Sequence, residues 1–139
     1  MREVLLHGGP NESFDRSIRF AIRLAELYGA RLHVLYTVDE PLSAGWTAEV
    51  TPDKLPEIHQ AIEEEARERL AQVVPVEEQD RLGIEIVIAI GPSDVEIVRY
   101  IESHSIDLAI FRAPHGDEEG AELAAALVER GQCALLVLR

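Results

Sequence analysis

The feature that most narrows the fold of this chain is alternation. Five short runs rich in branched apolar side chains are Glu3 to His7, Arg31 to Val38, Ile84 to Ile90, Asp107 to Phe111 and Cys133 to Leu138. Between them lie segments whose apolar residues recur at helical spacing. Phe14, Ile18, Ala21, Ala25 and Tyr28 form one stripe, with Gly29 just past the last turn. Leu55, Ile58, Ile62, Ala66, Leu70 and Val73 form the next, which Thr51 opens as N-cap with Pro52 at the first helical position. Ser93 and Glu96 stand in capping-box spacing ahead of Val95, Val98 and Ile101. Leu123, Leu127 and Val128 mark the last helix, from about Ala121 to Arg130. The order βαβαβαβαβ predicts an α/β fold: a parallel sheet with helices on both faces and right-handed crossovers. The β-branched run Ile84 to Ile90 reads as a strand buried on both faces. Val76 to Leu82 reads as a polar connection, and Asp39 to Thr51, with Pro41, Gly45 and Trp46, as the longest irregular stretch.

At 139 residues the chain suits one compact domain spanning 1–139. Its 13 basic and 26 acidic residues leave a formal charge of −13. Nucleic acid and anionic membranes both need a basic footprint, so neither is an expected partner. Lys54 is the only lysine. Two readings fit that surface: an acidic protein whose cations are arginines, and adaptation to high salt, which screens self-repulsion. Cys133 is the only cysteine, so no intramolecular disulfide forms. No run approaches the ~20 apolar residues of a membrane span. Met1-Arg2-Glu3 leads straight into a strand without the apolar region of a signal peptide, and the expected location is cytoplasmic.

Ligands of open α/β sheets bind beyond the carboxyl ends of the strands, where the strand order reverses. That points to the loops after strands one and four, Gly8 to Asn11 and Arg112 to Gly116. Gly8-Gly9-Pro10-Asn11 sits where an anion-binding turn would, though Pro10 removes one amide donor and no Walker lysine follows. A plain structural turn is the competing reading. His104 with Asp107, and His115 with Asp117, are partial metal or acid–base pairs without a third ligand at diagnostic spacing, so no metal is expected. Of the candidate nucleophiles Ser13, Ser93 and Cys133, Ser93 reads as a helix cap and Cys133 as a buried structural thiol. The triplets Glu63 to Glu65 and Asp117 to Glu119 are consecutive, so their carboxylates point apart. No set of residues forms a catalytic centre, and the expectation is a protein without enzymatic activity.

Over nearly its whole length the chain resembles the universal stress protein family. The likeness is carried by Val4-Leu5-Leu6-His7 with its glycine turn and the helix containing Ala21-Ile22-Arg23-Leu24-Ala25. It continues in Gly91-Pro92-Ser93-Asp94-Val95-Glu96-Ile97-Val98, similar to the family's Gly-Asp-Pro-Ala-x-x-Ile turn, and in Ile106 to Phe111 and Cys133 to Leu138. The resemblance implies a five-stranded, mainly parallel sheet of order 3-2-1-4-5, of the adenine nucleotide alpha hydrolase-like type. It also implies a homodimer, a role in stress response or signalling, and, in one branch, ATP binding. That branch closes strand one with an aspartate and follows strand four with Gly-x-x-Gly and Gly-Ser/Thr. This chain departs at each point. Gly9 stands in place of the aspartate, Arg112 in place of the first motif glycine, and Ala121-Glu122 in place of the Gly-Ser/Thr pair; His115-Gly116 align only if Pro114 is an insertion. The nucleotide site is therefore read as degenerate at Gly8, Gly9, Asn11, Arg112, His115 and Gly116. No cofactor is expected, with ATP or AMP as the alternative. The apolar run Cys133 to Leu138 is the expected dimer seam, by antiparallel pairing of two copies, and an unidentified protein is the further partner.

Overall fold

The structure is a computed structural model that describes residues 1–10, 14–38, 52–113, 116–130 and 133–139. Five strands form one sheet: β1 (Glu3–Gly8), β2 (Arg31–Val38), β3 (Glu85–Ile90), β4 (Leu108–Arg112) and β5 (Ala134–Leu138). Their order is β3-β2-β1-β4-β5, and every neighbouring pair is parallel. The helices are α1 (Phe14–Tyr28), α2 (Leu55–Val73), α3 (Val76–Leu82), α4 (Ser93–His104) and α5 (Glu118–Arg130).

Side chains of a strand alternate between faces, and the two cores follow that period of two. Val4 and Leu6 of β1, Val34 and Tyr36 of β2 and Ile110 of β4 pack with Phe14, Ile18 and Ala21 of α1 and Ala66 and Leu70 of α2. Leu5, Leu35, Ala109 and Phe111 point the other way, onto Ile97, Tyr100 and Ile101 of α4 and Leu127 of α5. Fully burying one such leucine or isoleucine contributes roughly 1.5–3 kcal/mol, so the doubly covered centre β2-β1-β4 anchors the fold.

Most predicted elements are found within a residue or two. The differences have local causes. The run Ile84 to Ile90 forms an edge strand, with Glu85 exposed and Ile86 to Ile90 half-buried, rather than a strand buried on both faces. A β-branched run reads alike in either place. The segment 76–82 is a full helix, closed by Gly83. The second long helix starts at Leu55, after a 3-10 turn over Pro52–Lys54, and Lys54 occupies its N-cap. The predicted cap Thr51 lies outside the described residues, as do Trp46 and the rest of 39–51. Gly29 ends α1 as expected, at φ +61°, a left-handed conformation that favours glycine.

Ser93 is not the cap its spacing suggested. Pro92 holds the N-cap position of α4 without a side-chain hydrogen bond, and Ser93 is already the first helical residue. Its hydroxyl turns instead to Thr37 of β2. Among the described residues no helix is long and apolar enough to cross a membrane.

Candidate functional site

The switch point lies where β1 sits between β2 and β4, and a cleft of about 540 Å³ opens there at the carboxyl ends of the strands. Its lining includes His7, Gly8, Gly9 and Pro10 from β1 and the turn after it, Thr37 from β2 and Arg112 from β4. Ser93 and Asp94 open α4 on its wall, and Asp117, Glu119, Gly120 and Glu122 come from the start of α5. Gly8 is required there by close approach: a Cβ at this position would lie 2.1 Å from two ring carbons of Phe14.

Two hydrogen bonds tie two strand ends and the start of one helix together. His7 Nε2 lies 2.7 Å from Thr37 Oγ1, and Thr37 Oγ1 lies 2.9 Å from Ser93 Oγ. Burial pushes the His7 pKa down to about 4, so the ring is neutral at neutral pH. Thr37 stands between His7 and Ser93, so among the described residues the serine has no directly bonded base. The arrangement presents polar, uncharged groups to a ligand rather than an activated nucleophile.

Charge enters at the sides. Arg112 is half-buried, and its Nε is buried without a hydrogen-bond partner among the described residues. Four carboxylates, those of Asp94, Asp117, Glu119 and Glu122, line the same cleft. Asp94 Oδ2 is 3.4 Å from Arg130 Nη1. The positions named from sequence thus come together in part. Gly8, Gly9 and Arg112 meet in the cleft; Gly116 is exposed, at φ +83°, and is not part of its lining. Asn11 and His115, with Pro114 and Ser13, lie outside the described residues. Thr37 escaped the sequence reading, although its place next to the carboxyl end of a strand was the available signal.

The other histidine pairings resolve differently. Asp107 does not face His104 as a site partner. Its Oδ2 accepts the backbone N–H of Arg2 at 2.8 Å and of Glu3 at 2.9 Å, which fastens the start of β1 to β4. His104 stacks on Tyr100 with ring centroids 3.8 Å apart. His33 is buried in a polar network at the opposite end of the sheet, 2.6 Å from Glu3 Oε2 and 2.7 Å from the Tyr100 hydroxyl. Burial, with Glu85 and Glu3 nearby, pushes the Tyr100 phenol up to about 12. Among the described residues no group of three His, Cys, Asp or Glu side chains is arranged to hold a metal ion.

The model of the universal stress protein family matches residues 4–139. The chain belongs to the universal stress protein family. Solved structures share the fold at low identity. The universal stress protein UspA from Lactobacillus plantarum is 21% identical at a TM-score of 0.73, covering 99% of this chain and 97% of that one. A universal stress family protein from Burkholderia pseudomallei is 18% identical at 0.67, over 98% and 94% of the two chains. The universal stress protein from Archaeoglobus fulgidus, solved in complex with dAMP, is 14% identical at 0.58, over 100% and 98%. No match is found among curated proteins. These universal stress proteins have the adenine nucleotide alpha hydrolase-like architecture, and this chain's β3-β2-β1-β4-β5 order is the same.

Proposed function

We propose that this universal stress protein is a non-enzymatic, dimeric module of cytoplasmic stress response or signalling, which engages a partner protein and does not take ATP. The observation that carries this reading is the charge of the cleft. Four carboxylates face one guanidinium in its lining. A triphosphate placed beside them meets repulsion that grows as water is excluded, and Glu122 stands where the ATP-binding branch has its Ser/Thr. Isothermal titration of the purified protein with ATP and magnesium is expected to give no saturable heat; tight binding would overturn the reading.

The dimer is proposed through β5. It is an edge strand with Leu135 to Leu138 half-buried, and such an edge is a template for antiparallel pairing with a second copy. Light scattering is expected to give twice the chain mass of 15.5 kDa, and a monomer at working concentration counts decisively against it.

A second reading keeps the nucleotide. Arg112 brings a guanidinium to the lining of this cleft, which favours an anionic group there, and the similar Archaeoglobus fulgidus protein was solved in complex with dAMP. On that reading the chain is an atypical ATP or AMP sensor built on the loops after β1 and β4, and Arg112→Ala must abolish any measured nucleotide affinity.

A further inference from the structure

In a chain with a formal charge of −13, the outward face of α1 carries cations and large apolar groups together. Phe14, Ile18, Ala21 and Ala25 take the inner face of this helix into the core. On the opposite side Arg16, Phe20, Arg23 and Leu27 follow at intervals of four, three and four residues, which lines them up along the helix. Both arginines are exposed, as are Phe20 at 42% and Leu27 at 76%. Arg67, Arg81, Arg99 and Arg130 each reach a carboxylate. Arg16 and Arg23 form no ion pair among the described residues. Arginine and aromatic side chains are the types enriched at protein interfaces.

The outward face of α5 has the opposite charge at the mirrored spacing. Counted back from its carboxyl end, Glu129, Ala125, Glu122 and Glu118 also stand four, three and four residues apart, and all are exposed. Val128, next to this stripe, is 71% exposed. Laid antiparallel, the two stripes set Arg16 against Glu129, Phe20 against Ala125 and Val128, and Arg23 against Glu122. The small Ala125 leaves room for the Phe20 ring, as a groove does for a ridge. α1 packs on one face of the sheet and α5 on the other, so the pair cannot form within one chain. A broad polyanion, whether membrane or nucleic acid, fits α1 less well. α2 lies on the same face of the sheet and turns Glu57, Glu64 and Glu68 to solvent, whereas a single helix meets α1 alone. We infer that α1 of one copy docks antiparallel on α5 of a second copy. The contact is head-to-tail and leaves the β5 edge free, so it goes beyond the proposed dimer and joins copies into larger assemblies.

One helix pair is a small interface, so the association is weak and concentration-dependent. At about 0.15 M salt, screening over ~8 Å damps the repulsion between whole acidic chains more than the attraction between groups in contact. Sedimentation velocity of the full chain in that salt, from about 10 to 500 μM, is expected to show mass rising with concentration. Arg16→Glu with Arg23→Glu, and separately Glu122→Arg with Glu129→Arg, are each expected to abolish the rise. All four positions are exposed, so circular dichroism is expected to be unchanged. An equimolar mixture of the two variants is expected to restore the rise, because the reversed α1 of one then faces the reversed α5 of the other. The variants move the net charge in opposite directions, so a general charge effect cannot remove association from both. The mass reached on dilution reports β5 pairing and is expected to be the same in every variant, so failure of that dimer is told apart from failure of this contact. A flat mass over the whole range leaves α1 to an acidic helix of another protein and overturns the inference. A rise that persists in either variant, or a mixture that stays flat, overturns it equally.

Discussion

His7 Nε2 lies 2.7 Å from Thr37 Oγ1, across the boundary between the two central strands β1 and β2. The contact joins the site to the core. Leu6, next to His7, is fully buried, and Tyr36, next to Thr37, is 2% exposed. The two polar side chains sit where the buried strands reach the cleft, so the floor of the site is held by the most firmly packed part of the sheet. Ser93, 2.9 Å further on, fixes the start of α4 to that floor.

That placement gives the stability of the protein a pH dependence. His7 titrates near 4 when folded because burial disfavours its charged form, against an unfolded value of 6.5. Between those values the unfolded chain binds more protons than the folded one, so stability falls as pH drops from about 6.5 to about 4. His7→Gln keeps a polar partner for Thr37 but does not titrate. Urea midpoints are expected to show wild type losing on the order of 2 kcal/mol more than the variant across that window, with the partial exposure of His7 reducing the full linkage value. Equal slopes for the two proteins would show that His7 is protonated in the fold.

Much of the fold was legible because periodicity is a local signal. The apolar stripe of α1 and the apolar runs of β1, β2 and β4 each stand within one segment. What was not legible depends on distant residues. The β-branched run of β3 packs Ile86 and Ile88 on one core and Val87 and Ala89 on the other, yet it stays half-buried because it lies at the sheet edge. Ser93 followed by Glu96 matches a cap by spacing, yet its hydroxyl goes to Thr37, 56 residues away. His33 finds Glu3 30 residues away and Tyr100 67 away. Gly8, Gly9 and Arg112, singled out because they follow strands one and four, do line one cleft. Its hydroxyls and the isolation of Arg112 Nε appear only in three dimensions.

The turn after β1 is tuned to one neighbour. A methyl group on Gly8 would overlap the Phe14 ring, and Phe14 is only 4% exposed, so it has little room to give way. Gly8→Ala is expected to destabilise the protein by roughly 1–3 kcal/mol, the usual cost of overpacking. Pairing it with Phe14→Leu should recover part of that loss, measured by chemical denaturation. An additive double variant would mean that the strain is released elsewhere.

Asp107 fastens the start of β1 through two backbone amides. The hydrogen bond from the Glu3 amide, then that from Arg2, hold its carboxyl below the usual carboxylate value. The stability this contributes is present above the ordinary carboxylate pKa and is lost as pH falls through the lower folded value. Asp107→Ala is therefore expected to lower the denaturation midpoint at pH 7, and the gap from wild type should narrow in acid. A gap independent of pH would assign the loss to packing alone.

Cys133 precedes the edge strand β5 and is half-buried. Burial pushes its thiol up, with Asp107 adding to the rise and a hydrogen bond with the Ala109 backbone opposing it. Thiolate is the reactive form, so the folded protein is expected to react with a disulfide reagent at pH 8 several-fold more slowly than free cysteine. Two measurements separate the causes. Raising the pH should accelerate the folded protein more than free cysteine, because the latter is closer to full ionisation. Denaturant should bring the two rates together. If the folded rate is slow but shows the pH midpoint of an ordinary thiol, then access rather than ionisation controls it. In that case dilution of a β5-paired dimer to monomer should restore the rate, which ties the reactivity of this one thiol to the assembly state proposed for the strand beside it.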